Sequence, residues 1–158
     1  MSTPPLHVAL VHPEIGPNTG NIGRLCLGIG ARLHLVHPLG FSTSDKAVRR
    51  AGLDYWRHVD CVEHDSLASF WRWLTASPQR RFHLLSTRGR RSYTAATYRR
   101  GDVLLFGRES KGLPADLVEA HGALRIPMPG PVRSLNLANA AAIVTMTALQ
   151  QITPELFT

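Results

Sequence analysis

The sequence predicts an α/β fold built on a mainly parallel sheet flanked by helices. Three observations point there. Short apolar runs recur along the chain, most of them are separated by segments with helical apolar spacing, and Gly/Pro-rich loops follow several of the runs. Strands alternating with helices need crossover connections, which make neighbouring strands parallel.

The elements follow in order. Residues 6–11, Leu-His-Val-Ala-Leu-Val, read as a buried strand. Residues 12–17 carry two prolines and a glycine and form a loop. Asn18 is placed to cap a helix over 19–27, with Gly28 and Gly30 as its exit. Residues 33–36 are a second strand, 38–44 a loop, and a short helix is expected over 45–50. Residues 59–62 make a weak strand. Asp65 caps a helix through Phe70, Trp71 and Leu74 that Pro78 closes. Residues 82–85 and 102–106 are strands, and Pro114 fits the first position of a helix through Leu117 and Ala120. Residues 124–126 are a last short strand. Three prolines in five residues then enforce a rigid loop, after which Ser134 stands where the N-cap of a final helix to about Gln151 belongs.

With 158 residues, 44% hydrophobic and 18% charged, the chain suits one domain spanning 1–158. No apolar run reaches the roughly 18 residues of a membrane span, and no signal peptide is evident at the N-terminus. Cys26 and Cys61 are isolated and are expected to be reduced thiols of a cytoplasmic protein. The net charge is +7 and arginine supplies nearly all the cations, since Lys46 and Lys111 are the only lysines. Arginine suits bidentate phosphate contacts, and the arginines cluster at 49–50, 80–81, 88–91 and 99–100, a pattern that points to nucleic acid.

Three loops, 12–19, 107–114 and 127–134, follow strand ends, where open α/β sheets bind ligands, and are expected to converge on one site. Asn18-Thr-Gly-Asn-Ile-Gly-Arg24 has glycines beside a helix start but is neither GxxxxGK[ST] nor GxGxxG. Arg24 lies within reach of a phosphate or ribose, or is a plain surface arginine. Glu109 is the only carboxylate of Gly107-Arg-Glu-Ser-Lys-Gly-Leu-Pro114, placed either as a base or as a holder of neighbouring backbone. Ser134, Asn136 and Asn139 bring a hydroxyl and two amides to a helix start. The eight histidines form no metal-ligand spacing: His34 and His37, three apart near a strand, face opposite sides. Trp71 and Trp73 read as packing residues. Tyr93 and Tyr98, flanked by arginines, are candidates for stacking on RNA bases.

Taken in order, Asn18–Arg24, Phe106-Gly-Arg-Glu-Ser-Lys-Gly-Leu-Pro114 and Ile126-Pro-Met through Ser134-Leu-Asn-Leu-Ala-Asn139 resemble the SPOUT class of knotted RNA methyltransferases. The resemblance covers nearly the whole chain. It is strongest to the short members of that class that methylate the wobble cytidine or uridine, position 34, of tRNA. Asp45-Lys and Arg49-Arg-Ala-Gly-Leu-Asp-Tyr55 share it. The resemblance implies a C-terminal trefoil knot, a homodimer and S-adenosylmethionine as cofactor, held by Leu85, Thr87, Gly107, Ile126, Met128, Ser134 and Leu135. It implies transfer of the methyl to a ribose 2′-hydroxyl, with catalytic roles for Arg24, Glu109, Ser134 and Asn136. RNA would be met by Asn18, Arg24, Arg88, Arg90, Arg91 and Arg133. No metal or membrane is implied. Two positions depart from the pattern: Arg108 stands where relatives often have proline, and Met146 where some have tyrosine. The alternatives are methylation of another RNA such as rRNA, a non-catalytic RNA-binding protein of the same fold, and an ordinary doubly wound nucleotide-binding enzyme.

Overall fold

The computed structural model describes residues 3–44 and 53–158. The short helix expected over 45–50, and the Asp45-Lys and 49–52 segments, lie outside the described residues.

Seven strands form one sheet: β1 Leu6–Val11, β2 Arg32–Val36, β3 Cys61–His64, β4 Phe82–Leu85, β5 Arg91–Ser92, β6 Asp102–Phe106 and β7 Leu124–Arg125. Their order is β3-β2-β1-β6-β4-β7-β5, and every pairing is parallel. β1 and β6 are buried along their whole length because helices cover both faces, which is why they read as unbroken apolar runs. Alternation sorts their side chains. Leu6, Val8, Leu10, Leu104 and Phe106 meet helices α1 (Gly16–Ile29) and α4 (Leu137–Ile152) through Ile22, Cys26, Ala141, Val144 and Ala148. Ala9, Val11, Val103 and Leu105 meet α2 (Leu67–Thr75) through Phe70 and Leu74, and α3 (Ala115–His121) through Leu117 and Val118.

The helix starts differ from expectation in an instructive way. α1 begins at Gly16, with Ile15 as N-cap and Pro17 in its first turn; Asn18 is buried inside that turn and is not the cap. The helix runs through Gly28 and ends on Gly30, whose φ of 74° is the left-handed geometry glycine takes readily. α4 is capped by Asn136, whose Oδ1 accepts the N–H groups of Ala138 and Asn139, so Ser134 stays in the extended loop and the predicted cap is two residues early. Ser66, not Asp65, caps α2, in a capping box with Ser69. Pro114 is the N-cap of α3 and not its first residue. The strand expected over 59–62 forms at Cys61–His64, because a 3-10 turn at Leu53–His58 takes the Val59 N–H on Trp56. β5 and the short 3-10 turns are too brief for a periodic signal.

One polar feature sits inside the α2 face. His7, His34 and His64, one on each of β1, β2 and β3, form a diagonal row. His7 Nδ1 lies 2.9 Å from His34 Nε2, and His34 Nδ1 lies 2.9 Å from His64 Nε2. His34 is 1% exposed and rings with Trp73 and Phe70. Burial pushes the pKa of His7 down to about 4 and that of His34 down to about 2, helped at His7 by Arg32 and Arg80, and at His34 by its two imidazole neighbours. His64 is also lowered by burial, against the pull of Asp65.

Candidate functional site

The loops that leave the carboxyl ends of β1, β4, β6 and β7 converge on a cavity of about 420 Å3. That volume lies in the ~300–1,000 Å3 range of small-molecule sites. Leu85, Phe106, Leu124, Ile126, Met128, Leu135 and Leu137 give it apolar walls; Ser86, Thr87, Glu109, Ser134 and Asn136 give it polar edges. All seven residues expected to hold a cofactor line it: Leu85, Thr87, Gly107, Ile126, Met128, Ser134 and Leu135. Asn18, Arg88, Glu109, Arg133 and Asn136 join them.

Backbone approach at two glycines shapes the cavity. A Cβ on Gly107 would sit 2.0 Å from the carbonyl carbon of Gly112 and the nitrogen of Leu113, so only glycine fits. The loop folds back there: the Gly112 N–H donates to the Arg108 carbonyl at 2.8 Å, and Gly112 takes φ 68°. Arg108, the departure from the expected proline, uses its backbone in this contact. At Gly89 a Cβ would lie 2.5 Å from the Leu124 carbonyl carbon, so the 86–89 turn presses directly on β7.

Glu109 does what a holder of backbone does. Its carboxylate accepts the N–H groups of Glu14 and Ile15 at 2.8 and 2.9 Å and the Asn18 amide at 3.1 Å. It supplies the negative charge that the start of α1 lacks, since Ile15 offers no side-chain cap. Asn18 Oδ1 accepts in turn from Asn136 Nδ2 at 3.0 Å. Glu14 answers across the same gap: its Oε1 accepts the Ser110 N–H at 2.9 Å and the Ser110 hydroxyl at 2.7 Å. These bonds hold the Glu14 carboxyl below the usual carboxylate range. Sequence reasoning missed Glu14 and Ser110; nothing in their local sequence announces a partner almost a hundred residues away.

Other expected residues fall elsewhere. Asn18 was expected to face RNA, but it is 7% exposed and bonded at both ends of its amide, so it is an internal strut. Arg24 is exposed on α1 outside the cavity lining, with its guanidinium 5.4 Å from the Tyr55 ring centre. The preceding Gly23 lets Trp56 lie against the helix, where a Cβ would come within 2.5 Å of the ring. Arg90 and Arg91 face a neighbouring groove. Tyr98 is 3% exposed and donates its hydroxyl to the Tyr93 carbonyl at 2.6 Å, so it is closed to RNA bases. Trp73 packs on the histidine row and carries Arg80 over its face; Trp71 packs on Phe82 and His121. His37 is turned away from His34, to Glu63. Among the described residues no group of three or more His, Cys, Asp and Glu could hold a metal ion. No helix among them is long and apolar enough to cross a membrane.

Residues 5–146 match the SpoU rRNA Methylase family. The chain is 43% identical, over 93% of its length and 94% of the relative's, to the tRNA (cytidine(34)-2′-O)-methyltransferase of Escherichia coli strain K12. Among solved structures, one described as giving structural insights into the 2-OH methylation of C/U34 on tRNA superposes with a TM-score of 0.90. It is 48% identical and aligns over 94% of this chain and 97% of its own. An AdoMet-bound rRNA methyltransferase from Sinorhizobium meliloti superposes with a TM-score of 0.84 at 28% identity, over 94% of this chain and 57% of its own.

Proposed function

The chain belongs to the SpoU rRNA methylase family, and we propose on that premise that it methylates the ribose 2′-hydroxyl of the wobble nucleotide, cytidine or uridine 34, of tRNA. The observation that carries this reading is the cavity itself: the seven residues that the resemblance implies for one cofactor line one space of suitable size. The residues fit S-adenosylmethionine. Gly107 lets its loop fold back on Gly112 and Leu113 beside the cavity, the apolar walls suit an adenine ring, and the polar edge suits a ribose and an amino-acid tail. Bound there, S-adenosylmethionine supplies an electrophilic methyl group carried on a sulfonium.

This chain's residues then have to present a ribose hydroxyl in line with that methyl, and alignment accounts for most of the barrier reduction. Glu109, Asn18 and Asn136 hold the three loops in register. Ser134, on the exposed rim beside Asn136, is placed to meet the hydroxyl. Arg133 and Arg88 meet RNA at the cavity mouth. A guanidinium offers donors and no acceptor, so the part of Arg24 is to bind a phosphate or stabilise the forming alkoxide. Because it lies outside its own chain's cavity, that part belongs to a homodimer in which α1 faces the partner's cavity. Leu27, one turn from Arg24, and Met146 on α4 are 37% and 39% exposed, which supports an interface on these helices. The resemblance of the three motifs to the SPOUT class supports a trefoil knot in the C-terminal part of a single domain. A tRNA substrate supports a cytoplasmic enzyme.

The test is methyl transfer from labelled S-adenosylmethionine to total tRNA from cells lacking the gene, with nucleoside mass spectrometry. A 2′-O-methylated pyrimidine at position 34 is expected. Transfer only to rRNA, or cofactor binding without transfer to any RNA, would overturn the assignment. Arg24→Ala is expected to abolish transfer while leaving cofactor affinity intact, and equal loss of both would remove Arg24 from the mechanism.

A further inference from the structure

The turn after β4 borders two concavities. One is the cavity above. The other is a larger open groove of about 840 Å3 between β4, β7 and α3. Arg88 and Leu124 line both, so the two spaces adjoin at one turn of chain.

Arg88, Arg90 and Arg91 all line the groove, together with His83 and His121, and Glu119 is the one carboxylate in that lining. Among the described residues none of the three arginines pairs with a carboxylate. Arg88 Nη2 donates to the Leu113 carbonyl at 2.9 Å and Arg91 Nη2 to the Ala95 carbonyl at 3.0 Å. Those bonds fix the two heads in place without neutralising them. Arg90, exposed, makes no hydrogen bond or ion pair among the described residues. The turn that carries them is stiff. Gly89 is pressed on the Leu124 backbone and donates to the Ser86 carbonyl at 3.0 Å, and the Arg88 N–H donates to Ser86 Oγ at 3.1 Å. Uncompensated charge held on a rigid frame is what a polyanion site needs, because the ordering cost is met before the ligand arrives.

We propose that this groove holds the sugar-phosphate backbone of the tRNA strand flanking the nucleotide whose ribose enters the cavity. The inference rests on the methyltransferase reading and adds where the rest of the substrate lies. Guanidinium heads recognise phosphate in bidentate fashion. Arg88 lines both the groove and the cavity, which makes the substrate's own strand the occupant, in preference to an acidic protein.

The experiment measures binding of fluorescently labelled, unmodified tRNA against salt concentration for the wild-type protein, Arg90→Gln and Arg90→Glu, with cofactor affinity by calorimetry. Arg90 is chosen because no contact within the fold depends on it. Arg90→Glu is expected to weaken tRNA binding about tenfold or more, Arg90→Gln less. Each is expected to lower the slope of log affinity against log salt by roughly one or more, with cofactor affinity unchanged. Unchanged tRNA affinity and slope in Arg90→Glu would overturn the proposal. So would equal losses in both variants accompanied by weakened cofactor binding, which would mark a structural role. Unchanged tRNA affinity with lost binding of polyglutamate would assign the groove to an acidic protein instead. Because the readout is binding, wild-type protein that binds tRNA through Arg90 but methylates none overturns the proposed activity and leaves the groove standing.

Discussion

Two polar networks tie distant parts of this chain together, and they differ in the water around them. The histidine row links β1, β2 and β3 beneath α2, with His34 sealed from solvent. The rim network links the starts of α1 and α4 to the β6 loop through Glu109, Glu14, Asn18 and Asn136, and much of it is open to water. The bond lengths are alike, close to 2.9 Å in both. Their energetic roles are not. Around His34 a lost partner leaves a buried ring nitrogen unpaired, so the row bears on stability. At the rim water can replace a partner, so those bonds matter chiefly for where they hold the loops.

The contrast breaks most visibly at His34. His34→Ala strands His7 and His64 and opens a void, and is expected to cost roughly 3–5 kcal/mol of unfolding free energy in a denaturant titration. Its kcat at a permissive temperature should stay near wild type. A stable His34→Ala protein would mean that the row contributes little. Glu109→Ala should show the converse. Loops misplaced by about an ångström lower transfer by about a hundredfold, while the fall in Tm stays below that of His34→Ala. A large loss of stability with an unchanged transfer rate would erase the distinction. Acidification sharpens it with the smallest effect. His7 and His34 are kept neutral in the fold well below the ordinary 6.5, so the unfolded chain binds more protons below that pH. Stability is therefore expected to fall as pH drops from about 6.5 toward 4, by up to ~1.4 kcal/mol per pH unit for each histidine so held. Glu14, its carboxyl lowered by its bonds to Ser110, acts in the same direction at the acid end of the range. Thermal melts at stepped pH check this, and a flat Tm between pH 7 and 5 would contradict it.

The sheet was legible because burial on both faces leaves unbroken apolar runs. β1, β4 and β6 fall where the residues place them. The convergence of the loops was legible because they follow strand ends, and the cofactor positions because the motifs resemble a known family. The helix starts were less so. Ser134, Asp65 and Asn18 all have the right side chain for a cap, and which residue takes the role depends on tertiary partners: Asn18 is drawn inward by Glu109 and Asn136, which leaves Ile15 at the start of α1. The histidine row was invisible for a related reason. His7, His34 and His64 look scattered until strand register sets His34 level with Ala9 and His64 level with Val36, placing the three rings on one diagonal. Arg24 was legible as a functional candidate, but its distance from the cavity depends on which face of α1 turns outward.

The bonds at the rim also run in one direction. The first N–H groups of α4 donate to Asn136 Oδ1, the Asn136 amide donates to Asn18 Oδ1, and the Asn18 amide donates to Glu109. A backbone N–H can only give and a carboxylate can only accept, so both ends of the chain of bonds are fixed in polarity and neither amide is free to flip. Exchanging an amide nitrogen for oxygen changes almost no volume, yet at position 136 it keeps the helix cap and removes the donor to Asn18 Oδ1. At position 18 it sets a carboxylate against a carboxylate. At these two sites Asp is not a conservative neighbour of Asn, and shape alone would never say so.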